Sequence, residues 1–179
     1  TIWTSRDNDI VSDGEGGFWV AQYRSSVGLY SLLVHINKEG NIDFNVNTAS
    51  STIKSWFPNT NGNASTRGNL AYYPKEKLLA FEGNKMVTVF QVDDSGANGP
   101  TLSKIVAQSE LLFGSYIDGL AFDYAGNLFV CSAVKERFFV FSNNENTRLS
   151  YDISLLSTNL LAKSYSISWG KLPSFAKLH

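Results

Sequence analysis

One short pattern, an apolar strand, a polar turn and a second apolar strand, recurs three times along these 179 residues. The copies are Ile10-Val-Ser-Asp-Gly-Glu-Gly-Gly-Phe-Trp-Val-Ala21, Leu70-Ala-Tyr-Tyr-Pro-Lys-Glu-Lys-Leu-Leu-Ala-Phe81 and Leu120-Ala-Phe-Asp-Tyr-Ala-Gly-Asn-Leu-Phe-Val-Cys131. They begin about 60 and about 50 residues apart, a spacing that belongs to radial or stacked β architectures. Their apolar positions are rich in β-branched and aromatic side chains, and the turns at 13–17, 74–77 and 123–127 carry the Gly, Pro, Asp and Asn of tight hairpins. A third strand follows each hairpin at 32–36, 86–92 and 137–141, and a weaker fourth at 42–46, 102–106 and 149–153.

Four antiparallel strands per unit of about 50 residues is the arithmetic of a β-propeller blade. A sandwich of unrelated hairpins also shows frequent turns, but it does not require the same strand order three times in succession. The expected fold is therefore all-β: a partial β-propeller of four-stranded antiparallel blades over 5–46, 67–107 and 117–154, with one strand of another blade at 165–169. The whole of 1–179 reads as one propeller segment. Rings need roughly four to eight blades, and an unclosed arc leaves apolar faces and strand edges in water. The remaining blades of a longer chain are expected to close it, giving six blades in all; a second copy could close it instead, or the fold is an open arc. A start at Thr1 without methionine fits a piece of something longer.

Composition narrows the partners. With 43% hydrophobic and 13% aromatic residues there is ample material for a core. A net charge of −1 and no Lys/Arg cluster leave no electrostatic footprint for nucleic acid. No apolar run approaches the roughly 18 residues of a membrane span, and no signal-peptide pattern is visible. Few charges with much Asn and Ser point to a periplasmic, cell-surface or extracellular setting. Cys131 is alone, so no internal disulfide forms, and its place in a strand reads as a small buried apolar residue. His35 and His179 are the only histidines, which excludes His-rich metal sites. His35, in a third strand, reads as a packed or rim residue.

Helix is scarce; only 157–164 could hold a helical turn. The stretch 47–66, rich in Asn, Ser and Thr, reads as a long connection between the first two units. Trp56 and Phe57 within it either pin the loop to the body or form an aromatic platform, which makes Trp56 a candidate ligand-binding residue.

The innermost strand of each blade opens with Asn8-Asp9, Gly68-Asn69 and Asp118-Gly119. Carboxamide and carboxylate oxygens converging from several blades could bind a ligand or a hard cation such as Ca²⁺. The same residues could instead cap the turn into each strand. Asn8, Asp9 and Asn69 are thus candidate ligand-binding residues, and Asp118 with Asn69 a candidate metal pair. No G-x-S-x-G elbow occurs, and Gly14-Glu-Gly-Gly17 is a hairpin turn with no phosphate-cradling pattern.

Asp118-Gly-Leu-Ala-Phe-Asp-Tyr-Ala-Gly-Asn-Leu-Phe-Val130 resembles the D-G-x-x-x-D-x-x-G-N-L-x-V repeat of six-bladed propellers of the gluconolactonase-like (senescence-marker) and NHL-repeat groups. The resemblance covers roughly residues 5–150. It implies a divalent-metal ligand and proposed base at Asp118, and a substrate- or metal-facing Asn in the Asn8-Asp9 pair. The blade between should open N-G-L, whereas this chain has Gly68-Asn69-Leu70, one position out of register; the family's metal-binding Glu has no visible counterpart. The expected function is accordingly a non-catalytic recognition or scaffold module that binds a ligand, glycan or protein on one face without a cofactor. The alternative is a lactonase or esterase dependent on Ca²⁺ or another divalent metal at Asp118.

Overall fold

The computed structural model describes residues 8–22, 32–57, 68–83, 86–108, 117, 119–132, 137–141 and 153–155. Its sheets grow from turns that close on themselves. Between β1 (Asn8–Ser12) and β2 (Phe18–Gln22), the Asp13 N–H donates to the Gly17 carbonyl at 3.1 Å. Asp13 Oδ1 in turn accepts the N–H groups of Glu15 and Gly17 at 2.7 and 2.9 Å. The turn between β9 (Gly119–Phe122) and β10 (Leu128–Ser132) repeats this around Asp123, whose Oδ1 accepts from Ala125 and Asn127. Both place a left-handed glycine just before the last turn residue, Gly16 at φ +100° and Gly126 at +85°, and the first turn has a second at Gly14, φ +84°; a glycine meets no steric penalty there. The turn between β5 (Leu70–Tyr73) and β6 (Leu78–Gly83) is built differently: Pro74 opens it and Lys77 takes the left-handed place at φ +54°.

With β3 (Leu32–Ile36), β4 (Ile42–Asn45), β7 (Met86–Asp93), β8 (Thr101–Gln108), β11 (Arg137–Phe141) and β12 (Ile153–Leu155), the strands form three four-stranded sheets. Each is an antiparallel meander in chain order, β1-β2-β3-β4, β5-β6-β7-β8 and β9-β10-β11-β12. The all-β architecture of repeated four-stranded antiparallel sheets is thus present. The described last strand of the third sheet is 153–155, whose Leu155, Ser154 and Ile153 pair with Phe139, Val140 and Phe141; of the expected 149–153, residues 149–152 lie outside the described residues. The candidate strand at 165–169 and the candidate helical turn at 157–164 lie outside the described residues.

Within the long connection 47–66 no helix was expected, and this needs correction. Ser51–Ser55 form a short helix, α1. Ser50 Oγ caps it by accepting the Ile53 N–H at 3.3 Å, and Lys54 lies in the last turn, where a cation is favourable. Helices this short do not stand alone in water. Tertiary burial holds this one: Ile53 enters the core, and Phe57, 6% exposed, stacks on Phe90 at 5.2 Å and meets Phe81 edge-on at 5.4 Å.

Strand periodicity then sends the middle sheet in two directions. Leu79 and Phe81 of β6 pack with Trp19, Leu33 and Phe44 of the first sheet. Leu78 and Ala80, between them in sequence, pack with Phe122, Leu128 and Val130 of the third. All six residues of β6 are consequently buried. Cys131, expected to be buried, is half-buried because it sits one place past Val130 in that alternation.

Phe90→Ala, which removes a fully buried ring shared by β7, Trp56 and Phe57, is expected to cost about 3–5 kcal/mol in urea-unfolding stability. Ile42→Ala, 55% exposed on β4, should stay within about 0.5 kcal/mol.

Candidate functional site

The first strands of the three sheets, β1, β5 and β9, run side by side. Two of the polar residues at their starts, Asp9 and Asn69, reach across to the backbone of the next sheet. Asp9 Oδ1 accepts the N–H of its own neighbour Ile10 at 2.9 Å, and its Oδ2 reaches across to the Leu70 N–H of β5 at 2.8 Å. Asn69 Nδ2 donates to the Ile117 carbonyl, just ahead of β9, at 2.7 Å. A side chain from the first sheet thus binds the second, and one from the second binds the third. Asn8 opens β1 opposite Gln22. Asp118 lies outside the described residues. Trp56 sits apart from this rim, half-buried at the end of α1 and stacked on Phe90 at 6.0 Å.

Glu82 joins the rim from β6. It is fully buried; its Oε2 accepts the Gly68 N–H at 3.0 Å and its N–H donates to the Asn69 carbonyl at 2.9 Å. It grips the residues whose order departs from N-G-L. The signal for it in the sequence was a lone acid at the end of the apolar run Leu78-Leu-Ala-Phe-Glu82. Among the described residues no group of three or more His, Cys, Asp or Glu is arranged around a common point for a metal ion. Both carboxylate oxygens of Asp9 already accept backbone amides, so they do not fit the role of free cation donors.

A second polar cluster was missed altogether. His35, only 4% exposed, lies between two carboxylates: its Nδ1 is 2.6 Å from Asp43 Oδ1 on β4 and its Nε2 is 3.1 Å from Asp13 Oδ2 in the β1–β2 turn. A ring with hydrogens on both nitrogens donates to both acids; a neutral ring serves one. The Trp19 ring, 4.8 Å away between centroids, walls one side. The signal lay in comparing the two Asp turns. In the third sheet Asn127 Nδ2 donates to Asp123 Oδ2 at 2.8 Å. The first sheet has Gly17 at that place, which leaves Asp13 Oδ2 for His35. A Cβ on Gly17 would fall 2.4 Å from Asp13 Oδ2 and 2.8 Å from the Ile36 carbonyl.

Burial pushes the Asp13 carboxyl up, but the Glu15 amide, His35 and the Gly17 amide together outweigh it and hold the group below its ordinary 3.8. Burial, with the carboxylates of Asp94, Asp13 and Glu15, pushes the Tyr72 phenol well up, so this hydroxyl stays neutral.

No protein-family model matches the chain, and no curated protein does. Its fold is similar to that of a solved luciferin-regenerating enzyme, with 21% identity and a TM-score of 0.52. The match covers 84% of this chain and 47% of the other, so the chain spans about half the length of that β-propeller. The likeness establishes a blade-like arrangement of the sheets, which is the coarse form of the expected fold.

Gly17→Ala should destabilise the fold by about 2–4 kcal/mol, because the added methyl collides with rigid backbone and a paired carboxylate. Gly40, unlike Gly17, has a left-handed φ, +83°, but open space around it, so Gly40→Ala should cost only about 1–2 kcal/mol in the same urea titration. Asp13→Asn should cost about 1–3 kcal/mol at neutral pH. Because Asp13 titrates lower in the folded chain than in the unfolded one, its contribution is complete above about 4 and disappears as pH falls through the lowered value. Chemical unfolding across pH 2–7 should therefore show the wild-type and Asp13→Asn stabilities converging on the acid side.

Proposed function

We propose that the chain is a segment of a β-propeller, six-bladed when complete, that serves a larger exported protein as a non-catalytic recognition or scaffold module. The observation that carries this reading is the use made of the rim residues. Asp9 and Asn69, the side chains best placed to meet a ligand at the inner strands, are bonded to Leu70 and Ile117 and tie neighbouring sheets together. Further blades, from more chain or a second copy, close the ring and complete the face. The exported setting rests on the Asn- and Ser-rich, weakly charged composition. Among the described residues no helix is long and apolar enough to cross a membrane.

A second reading is favoured by one specific pairing: the Asp118-Gly119 repeat and a fold neighbour that is itself an enzyme. It makes the protein a lactonase or esterase whose divalent metal is held through Asp118.

Calorimetric titration with Ca²⁺ and Zn²⁺, run on wild type and Asp118→Ala beside a lactone-hydrolysis assay, separates the two. The recognition reading expects no Asp118-dependent ion binding and no hydrolysis. Ion binding and turnover that both vanish in Asp118→Ala would replace it with the enzyme.

A further inference from the structure

We propose that the cleft between the outer edges of the first and second sheets binds a neutral saccharide. This rests on the recognition reading and gives it a ligand class and a place. The cleft lies against β4 and α1 on one side and residues 98–103 on the other, away from the β1–β5–β9 rim; it is open to solvent and has a volume of about 550 Å³. That volume is within the usual range for small-molecule sites.

Its chemistry selects the ligand. Eight of its fifteen lining residues carry hydroxyl, carboxamide or carboxylate groups, too many for an apolar peptide or lipid. No Lys or Arg lines it, so an anionic ligand would meet no counter-charge. The single ionisable wall residue, Asp43, is a carboxylate, which accepts hydrogen bonds from sugar hydroxyls. Trp56 adds the flat apolar element. Trp56 is half-buried, lines the cleft and is held by stacking on Phe90 at 24° between planes, so the wall includes a fixed aromatic group of the kind that packs against the C–H face of a pyranose. Across the cleft, Asn98 and Thr101 offer a carboxamide and a hydroxyl.

The site is also built in advance. Asp43 Oδ1 is fixed by His35 Nδ1, and His35 is held from its other side by Asp13. The facing wall closes on Asp43 because residue 99 is glycine: a Cβ there would lie 2.7 Å from Asp43 Cγ and 2.8 Å from Oδ2. Side chains already fixed in the free protein lose little freedom when a ligand arrives, and weakly bound sugars depend on that economy. The buried histidine thus acts as a positioning residue for the cleft.

The test uses the full chain and a panel of neutral mono- and disaccharides, with uronic acids as anionic counterparts, read by saturation-transfer NMR and by Trp fluorescence. Neutral sugars are expected to bind and to perturb the fluorescence, and uronic acids to bind at least about tenfold more weakly. Asp43→Asn and Asn98→Ala should each weaken binding about tenfold or more, while Tyr124→Ala, at an 88%-exposed position in the third sheet's turn, should leave it unchanged. Asn98 lies on an exposed loop, so its variant keeps the test valid even if Asp43→Asn disturbs folding. No binding by any neutral sugar, or binding that survives both Asp43→Asn and Asn98→Ala, overturns the proposal. If that silence comes with flat divalent-ion titrations, the recognition reading still stands; if it comes with Asp118-dependent ion binding and hydrolysis, both fall.

Discussion

Everything in this chain depends on strand β6, inside the second sheet, having no solvent face. β6 is buried along its whole length because successive side chains point to opposite neighbours: Leu79 and Phe81 to the first sheet, Leu78 and Ala80 to the third. A lone four-stranded sheet with two apolar faces would have no soluble arrangement. Stacking the sheets face to face therefore removes two exposed faces with each contact, and this fixes the side-by-side placement of β1, β5 and β9 that the rim bonds then exploit.

Burial on both faces also explains why the polar exceptions are so well supplied with partners. His35 and Glu82 sit inside, and each is placed where backbone or acid groups meet it: Asp13 and Asp43 around the imidazole, the Gly68 amide against the carboxylate. An isolated charge at either place would be strongly disfavoured. With these partners the two residues lock local geometry, Glu82 at the inner rim and His35 at the outer edge near the cleft.

The strands were legible because their periodicity and turn chemistry are local, and Asp13 and Asp123 announce their turns within five residues. Bonds that span sheets were not legible. Asp9 and Leu70 are 61 positions apart, and a pattern that marks Asp9 as facing a common axis does not say whether a cation or an amide waits there. Helix α1 was hidden for a related reason. Its five residues have no propensity to speak of, and what holds them is the burial of Ile53 and Phe57 against β6 and β7. The histidine cluster was hidden behind an absence, the missing side chain at Gly17. It becomes visible only when that turn is laid on the one that carries Asn127.

The rim bonds run in one direction. Asp9 reaches forward to Leu70, and Asn69 reaches forward to Ile117; each sheet supplies the side chain and the next supplies the backbone. A chain leaving the ribosome presents these groups in the same order, so the opening residues of the first and second sheets carry their clasps before the backbone they bind has been made. Loss of the first clasp, Asp9 to Leu70, would thus leave the second, Asn69 to Ile117, joining two sheets that the first sheet no longer holds at this rim.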